Sequence, residues 1–471
     1  MTSRRKTAGS KSRTLLWKPT LGNHAGPLYR TIAAALKSDI AEGRLHAGDR
    51  LPTQRELADA LGVSLGTVTR AYQEAERQGL ISSRVGRGTF VSTPSTSDVL
   101  GLPDSRLIEM SVDLPVHQED PDLALALQKI ARGRGVPRLL RYHDHAGTAR
   151  HRRAGAAWAE RFGVEASPDD VIVCAGTQHA LCVSLMAIAE PGDIILCDSL
   201  TYPGMRAICH QLRLRLEGLP MKQGALDPSA VEAACKKRRV RALYCIPSLH
   251  NPTTGRLGDR KRRALARIAE KHDFWILEDD VHRLMSHEPA PPIATRAPDR
   301  TFFIASFSKA VTGGLRVAFL VPPASHLPAV TDAVWATIWM VPTLAVEVAA
   351  TWIEDGTADE VVARKRAEAS RRQERCASIL TSARYDSQPS GYYTWLHLPA
   401  PWTSAGFARA ARKMGVAVSP SGAFLVGSSP PPPAVRVCLG AAESGDEMAR
   451  GLEILAELLR TGPIPERAAI M

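Results

Sequence analysis

The chain has 471 residues, 44% hydrophobic and 23% charged, proportions that exclude a disordered, collagen-like or disulfide-scaffold polypeptide. Its net charge of +12 is unevenly placed: residues 1–92 hold 15 Lys and Arg against 7 Asp and Glu, +8 in the first fifth of the length. A basic segment of that kind points to a polyanion partner, nucleic acid first. The eight cysteines form no CxxC pair and no cluster with His at metal spacing, so they read as reduced core residues of a cytoplasmic protein without a metal site. No apolar run follows the basic N-terminus, so no secretory signal is expected. The stretch Ala333 to Ile353 carries one charge, Glu347, but Pro342 and several threonines interrupt it; a pair of buried helices is expected there rather than a membrane span.

In chain order, residues 1–23 are a basic flexible tail. Leu28, Ile32, Leu36 and Ile40 then recur every fourth residue and mark one face of a helix. Thr53-Gln54-Arg55-Glu56 is a T-x-x-E capping box opening a short second helix, and Gly62 supplies the turn after it. Ser64 caps a third helix, with Val68, Ala71 and Tyr72 facing inward. Two short helices so close together form a helix-turn-helix, whose second helix offers Ser64, Thr67, Thr69 and Arg70 as short donors for phosphates and base edges. Residues 80–91 hold two β-capable runs around glycines, a hairpin with Arg84 and Arg87 near its tip, which would be the wing of a winged helix.

The runs Gly48-Asp49-Arg50-Leu51-Pro52-Thr53-Gln54-Arg55-Glu56-Leu57-Ala58, Val68-Thr69-Arg70-Ala71-Tyr72 and Gly86-Arg87-Gly88-Thr89-Phe90-Val91 resemble the GntR-type winged-helix regulators. That resemblance assigns residues 24–92 to a DNA-binding domain. It implies contacts to double-stranded operator DNA from Arg55, Arg70, Arg87 and Gly88, with Arg84 beside them. Residues 93–112 begin Ser-, Thr- and Pro-rich and aperiodic, the composition of a linker.

Beyond the linker, short apolar runs at 171–174, 194–197, 242–246, 274–278, 301–305 and 317–321 mostly alternate with helical periodicity, as in Arg260 to Lys271. Such alternation predicts an α/β domain over 113–471 with a mainly parallel sheet, whose ligands bind beyond the carboxyl ends of the strands. At those ends lie Gly176-Thr177-Gln178, a phosphate-type turn opening a helix; Asn251-Pro252 on a rigid loop; Glu278-Asp279-Asp280; and Ser306-Phe307-Ser308-Lys309 with Arg316 seven residues on. Two basic runs, Lys236 to Arg241 and Arg260 to Arg263, read as solvated helix faces.

Pyridoxal 5′-phosphate needs a lysine for its aldehyde, a carboxylate for its ring nitrogen, a phosphate cradle and an aromatic face, and these parts supply them together. With Tyr202-Pro203-Gly204, the ordered set resembles the fold-type-I, aspartate aminotransferase-like PLP-dependent transferases. The resemblance implies that Lys309 forms the internal aldimine, Asp279 pairs with the pyridine nitrogen, Asn251 bonds the 3′-oxygen and Tyr202 stacks on the ring. It gives Thr177, Gln178, Ser306, Ser308 and Arg316 to the phosphate, Tyr142 to the phosphate of a partner subunit, and Arg436 to an effector carboxylate. Val281 stands where these enzymes usually carry a tyrosine, which puts efficient turnover in doubt.

The joined architecture resembles the MocR-type transcriptional regulators. It implies a homodimeric, PLP-bound DNA-binding regulator that senses PLP itself, an amine or an amino acid through aldimine exchange at Lys309. The alternative is an active PLP-dependent aminotransferase carrying an appended DNA-binding module.

Overall fold

The computed structural model describes residues 17–19, 27–41, 44–45, 49–77, 80–84, 88–91, 107–133, 135–427 and 429–462, with residues 77 and 82–84 described by their backbone alone. It divides into two compact units, Met1–Asp98 and Val99–Met471.

In the first unit, helices α1 (Leu28–Ala41), α2 (Gln54–Leu61) and α3 (Leu65–Arg77) precede a hairpin of β1 (Ile81–Arg84) and β2 (Gly88–Val91). The expected capping box forms: the Thr53 hydroxyl accepts from the Glu56 amide at 3.2 Å, and the Glu56 carboxylate accepts from the Thr53 amide at 2.9 Å. Gly62 then takes a φ of +66°, the left-handed turn that ends α2. Ser64 accepts from the Thr67 amide at 3.2 Å and starts α3. The hairpin is antiparallel, with Ile81 opposite Val91. Residues 49–51 run beside it, because the Leu51 amide donates to Thr89 O and the Val91 amide to Asp49 O. Ile32, Leu36, Leu57, Val68, Ala71, Tyr72, Ile81 and Val91 close one core. Leu28 is 41% exposed, so the apolar stripe of α1 begins at Ile32 rather than at the residue the periodicity gave. Arg87, the Arg84 side chain, the tail apart from residues 17–19 and linker residues 93–106 lie outside the described residues.

The second unit opens with β3 (Ile108–Met110), which corrects the expected end of the linker at residue 112. Ile108 to Met110 pair in parallel with Val416 to Val418. Met110 is fully buried, so this segment is already part of a sheet. Helices α4 (Leu123–Ala131) and α5 (Ala149–Arg161) follow, then β4 (Ile172–Cys174), α6 (Thr177–Ile188), β5 (Ile194–Asp198), α7 (Pro203–Gln211) and β6 (Arg215–Leu219). A small hairpin, β7 (Met221–Lys222) and β8 (Ala225–Leu226), leads to α8 (Pro228–Cys235), β9 (Ala242–Cys245), α9 (Asp259–His272), β10 (Trp275–Asp279), β11 (Thr301–Ser306) and β12 (Ala318–Val321). The main sheet has the order β4-β12-β11-β10-β9-β5-β6. Only β12 runs against the rest. Its strands are apolar on both faces because helices cover both. Phe303 and Ala305 pack with Trp158 of α5, whereas Phe302 and Ile304 pack with α6 and α7 residues.

The chain continues through α10 (Leu327–Ile338), α11 (Thr343–Glu354) and α12 (Thr357–Ile379) to a second sheet. That sheet holds β13 (Tyr385–Asp386), β14 (Tyr393–His397), β15 (Val416–Pro420) and β16 (Ala434–Cys438), with α13 (Ser404–Lys413) and α14 (Gly445–Thr461). Its order is β13-β14-β16-β15-β3. The pair of helices expected across 333–353 is α10 and α11, but not all of it is buried: Trp335, Ile338, Trp339 and Leu344 are exposed. No helix among the described residues is long and apolar enough to cross a membrane. All eight cysteines are unpaired. The basic run at 260–263 is not wholly solvated either. Arg262 is buried and donates to Leu257 O at 2.8 Å and Ser248 Oγ at 2.9 Å, with Glu278 and Asp280 beside it.

Candidate functional site

On the first unit, Arg55, Ser64 and Arg70 are exposed and Thr67 and Thr69 half-buried. The Thr69 hydroxyl lies 2.8 Å from Gln54 Oε1, tying the start of α2 to α3. Tyr72 fixes the same junction from inside, donating to Pro52 O at 2.8 Å. The polar edge of the helix-turn-helix is thus held at a set spacing while its arginines stay in solvent. Gly88 has a φ of +110°, and a Cβ there would stand 3.1 Å from Nε of Arg50. Arg50, which motif reading did not single out, therefore lies against the wing. Its signal was the bridge to Phe90, a pairing not visible in sequence order.

In the second unit, β4, β9, β10 and β11 all end at one edge of the main sheet, and β12 begins there. This is why residues far apart in sequence meet. Lys309, three residues past β11, is half-buried, and its amine donates to Asp113 O. Asp279, the last residue of β10, is 3% exposed. Its Oδ2 accepts from the Tyr244 hydroxyl at 2.8 Å and its Oδ1 is buried without a partner. Burial pushes the Asp279 carboxyl up to about 6, against the lowering effect of the Tyr244 hydrogen bond. A buried carboxylate with one unmatched oxygen is a ready acceptor for a cationic N–H.

The phosphate-type turn is built by Gly176 and Arg316. Gly176 has a φ of +81°, and a Cβ on it would sit 2.5 Å from Nη2 of Arg316. Arg316 itself lies at φ +53° and reaches Ser308 Oγ at 3.5 Å. The Ser308 amide donates to Ser306 Oγ at 3.2 Å. Thr177, the first residue of α6, has a buried hydroxyl with no partner, beside the free amides of that helix start. Tyr202 donates to Gln178 Oε1 at 3.0 Å, and burial raises its phenol to about 12. Asn251 Oδ1 accepts from Arg436 Nη1 at 2.7 Å, while Arg436 Nη2 donates to Ser111 O at 2.6 Å. Arg436 also stands over the rings of Phe424 and Tyr393.

Lys309, Asp279, Asn251, Tyr202, Thr177, Gln178, Ser306, Ser308, Arg316 and Arg436 thus all belong to this carboxyl-edge region. Tyr142 does not join them within one chain: it is 80% exposed and packs 5.5 Å from the Trp339 ring. The unpartnered Thr177 hydroxyl and Asp279 oxygen, with the turn that a Cβ at Gly176 would fill, fit pyridoxal 5′-phosphate.

Sequence reading missed Asp113, Tyr244 and His282. Tyr244 lies inside a strand run read only as core. Asp113 lies just past the assigned linker, and only the pairing of β3 with β15 brings it to Lys309. His282 sits 3.0 Å from Asp113 Oδ2, five residues after the start of a turn that carried no motif.

Residues 112–455 match the family of aminotransferases of class I and II, and residues 28–91 match the bacterial regulatory proteins of the gntR family. The chain is 32% identical over 446 residues to the uncharacterized HTH-type transcriptional regulator YdeF of Bacillus subtilis, covering 94% of this chain and 96% of that one. It is 29% identical to the probable rhizopine catabolism regulatory protein MocR of Rhizobium meliloti, over 63% of this chain and 66% of that one. The chain belongs to the MocR-type transcriptional regulators. Among solved structures, the kynurenine aminotransferase of Pyrococcus horikoshii superposes with a TM-score of 0.71 at 22% identity, over 76% of this chain and 92% of that one, which shows the shared fold. The two-part architecture expected of a MocR-type regulator, a winged helix fused to a fold-type-I aminotransferase-like domain, is therefore present.

Proposed function

We propose that this regulator is a homodimer that binds operator DNA through its winged helix and responds to an amino compound captured at Lys309 of a pyridoxal 5′-phosphate site. The observation that carries this reading is the Lys309 amine at the same sheet edge as a buried Asp279 carboxylate with one oxygen unmatched. When bound, pyridoxal 5′-phosphate supplies an aldehyde carbon that can pass from the lysine nitrogen to the nitrogen of an incoming amine, returning the proton and the free amine to Lys309.

The protein's own residues do the rest. Asp279 takes the ring N–H, and Thr177, Gln178, Ser306, Ser308 and Arg316 hold the phosphate. Tyr202 covers the ring face, and Asn251, whose Oδ1 is occupied by Arg436, donates its amide N–H to the 3′-oxygen. Arg436 receives a carboxylate on the effector. Arg55, Ser64, Thr67, Thr69, Arg70, Arg84, Arg87 and Gly88 face the DNA. The homodimer is supported by the exposed apolar group Leu140, Tyr142, Trp335, Trp339 and Leu344. A surface of that kind marks an interaction site, and it would present Tyr142 to a second copy's phosphate.

The test is a titration of cofactor-loaded protein with amino acids and amines, following its visible absorbance and its affinity for operator DNA together. An amine that shifts both supports the reading. No shift from any amine overturns it. Repeated turnover of an amino donor with a keto-acid acceptor, releasing a new keto acid, would show the aminotransferase reading to be correct instead.

A further inference from the structure

Asp113 is 7% exposed, and nothing in the assigned cofactor machinery uses its carboxylate. Its Oδ2 stands 3.5 Å from Lys309 Nζ and 3.0 Å from His282 Nε2, and its Oδ1 is buried with no partner. His282 is itself buried and packs edge-on to Tyr393, at 5.4 Å between ring centroids. Two residues before Asp113, Ser111 O accepts from Arg436, so the acid and the guanidinium flank one space beside the lysine. Burial raises the Asp113 carboxyl, but Lys309, His282 and Arg436 outweigh it and hold the group well below the usual carboxylate range. It therefore keeps its negative charge.

A buried carboxylate is tolerated when cations and donors match it, and strongly disfavoured when they leave. In the cofactor-free chain Lys309 supplies that match. Once the Lys309 nitrogen turns to the cofactor, Asp113 retains His282 alone on one oxygen and nothing on the other. An effector with a single amino group would spend that group at the lysine position and leave Asp113 short of a cation. An effector with a second, protonated amino group would restore the match.

Resting on the proposed amine-sensing role, we infer that the effector is a diamino acid: one amine exchanges at Lys309, the second is held as an ammonium by Asp113, and the carboxylate goes to Arg436. The spacing limits its length. If the first nitrogen lies near the Lys309 Nζ position, 3.5 Å from Oδ2, and the second within about 3 Å of the same carboxylate, the two nitrogens stand at most about 6.5 Å apart. That distance admits roughly two to four intervening carbons. Short diamino acids fit, and long polyamines do not.

The experiment titrates full-length, cofactor-loaded protein with 2,4-diaminobutyrate and ornithine, and with their monoamino counterparts 2-aminobutyrate and norvaline, following the visible absorbance shift. The diamino acids are expected to half-saturate at concentrations about tenfold lower or more, because a site built around a buried charge rejects the analogue that leaves it unpaired. Equal half-saturation overturns the inference and leaves amine sensing intact, whereas no response from any of the four compounds overturns amine sensing itself. Asp113→Asn should bring the diamino-to-monoamino ratio to near one. A ratio retained in a folded, cofactor-loaded Asp113→Asn protein overturns the inference, and the wild-type ratio decides it even if that variant does not fold.

Discussion

The two units solve opposite problems with their charged residues. In the winged helix the residues assigned to DNA stay in solvent, and short-range devices aim them: the Thr53–Glu56 capping box, the Gly62 turn and the Tyr72 bond to Pro52. In the aminotransferase-like unit the working groups are buried, and only the long-range order of the sheets brings them together. Asp113 and Lys309 are 196 residues apart in sequence, and Asn251 and Arg436 are 185 apart. A DNA surface must remain hydrated until it docks, so its scaffold is local and its charges are exposed. A chemical site must shed water for its charges to act strongly, so it is drawn from many strands into a low-dielectric edge. Substitutions should therefore act within one unit at a time.

The largest separation comes from Lys309→Ala. Removing the amine should abolish the cofactor's absorbance band near ~400 nm completely, while the thermal transition of the winged helix stays where it was. A band that survives would place the cofactor on another group.

Next in size is the pH response of Asp279 in cofactor-free protein. Its folded pKa of about 6 lies above the ordinary value near ~3.9 for an unfolded chain, so the folded state binds this proton more tightly. The stability it contributes is fully present below about pH 4 and is lost as the pH rises through 6. A shift of about two pK units corresponds to roughly 3 kcal/mol. Urea unfolding of wild-type and Asp279→Asn protein at several pH values between 4 and 7 should show the difference between them change by about that amount. No change would mean that Asp279 is less buried than the structure has it. Loading the cofactor should shrink the effect, because a ring N–H beside the carboxylate restores its charged form.

Much of this was legible in the chain itself. All six apolar runs became strands of the main sheet, because a strand buried on both faces must be continuously apolar, and helices separated most of them. The capping box and the Ser64 cap were legible because each is settled within four residues. The residues around Lys309 were legible as strand-end motifs. What escaped was whatever depends on pairing across long distances. The short β3 carries too few residues for a period to show, so its segment read as linker and Asp113 went unnoticed. Tyr244 read as core because strand burial masks a hydroxyl that serves Asp279. The exposed aromatic faces of α10 and α11 escaped for a different reason: an apolar stretch reads as buried whether a neighbouring helix or a second copy covers it.

Smaller effects belong to the winged helix. Arg70→Ala should weaken operator binding by about 1–3 kcal/mol, roughly ten- to a hundredfold, if the side chain reads a base edge; a phosphate contact would instead weaken all DNA evenly and lower the salt slope by about one. Affinity measured across salt concentrations separates the two. The cofactor absorbance should not move in either case.

The smallest effect is Thr53→Ala. It removes the hydroxyl that accepts from the Glu56 amide and leaves that donor without its cap. Losing an N-cap of this kind costs about 1 kcal/mol. Helix α2 has only eight residues, so little else secures its first turn, and Arg55 sits on that turn. The thermal transition of the winged helix should fall by a few degrees, since about 1 kcal/mol moves a domain of this size by roughly 4–8 °C. Operator affinity should drop only slightly, because the arginines remain in place whenever the helix is formed. The aminotransferase-like unit should unfold where it did before. If its transition moved by the same amount, the two units would unfold as one, and the local scaffold of the winged helix could not be treated as separate from the buried site.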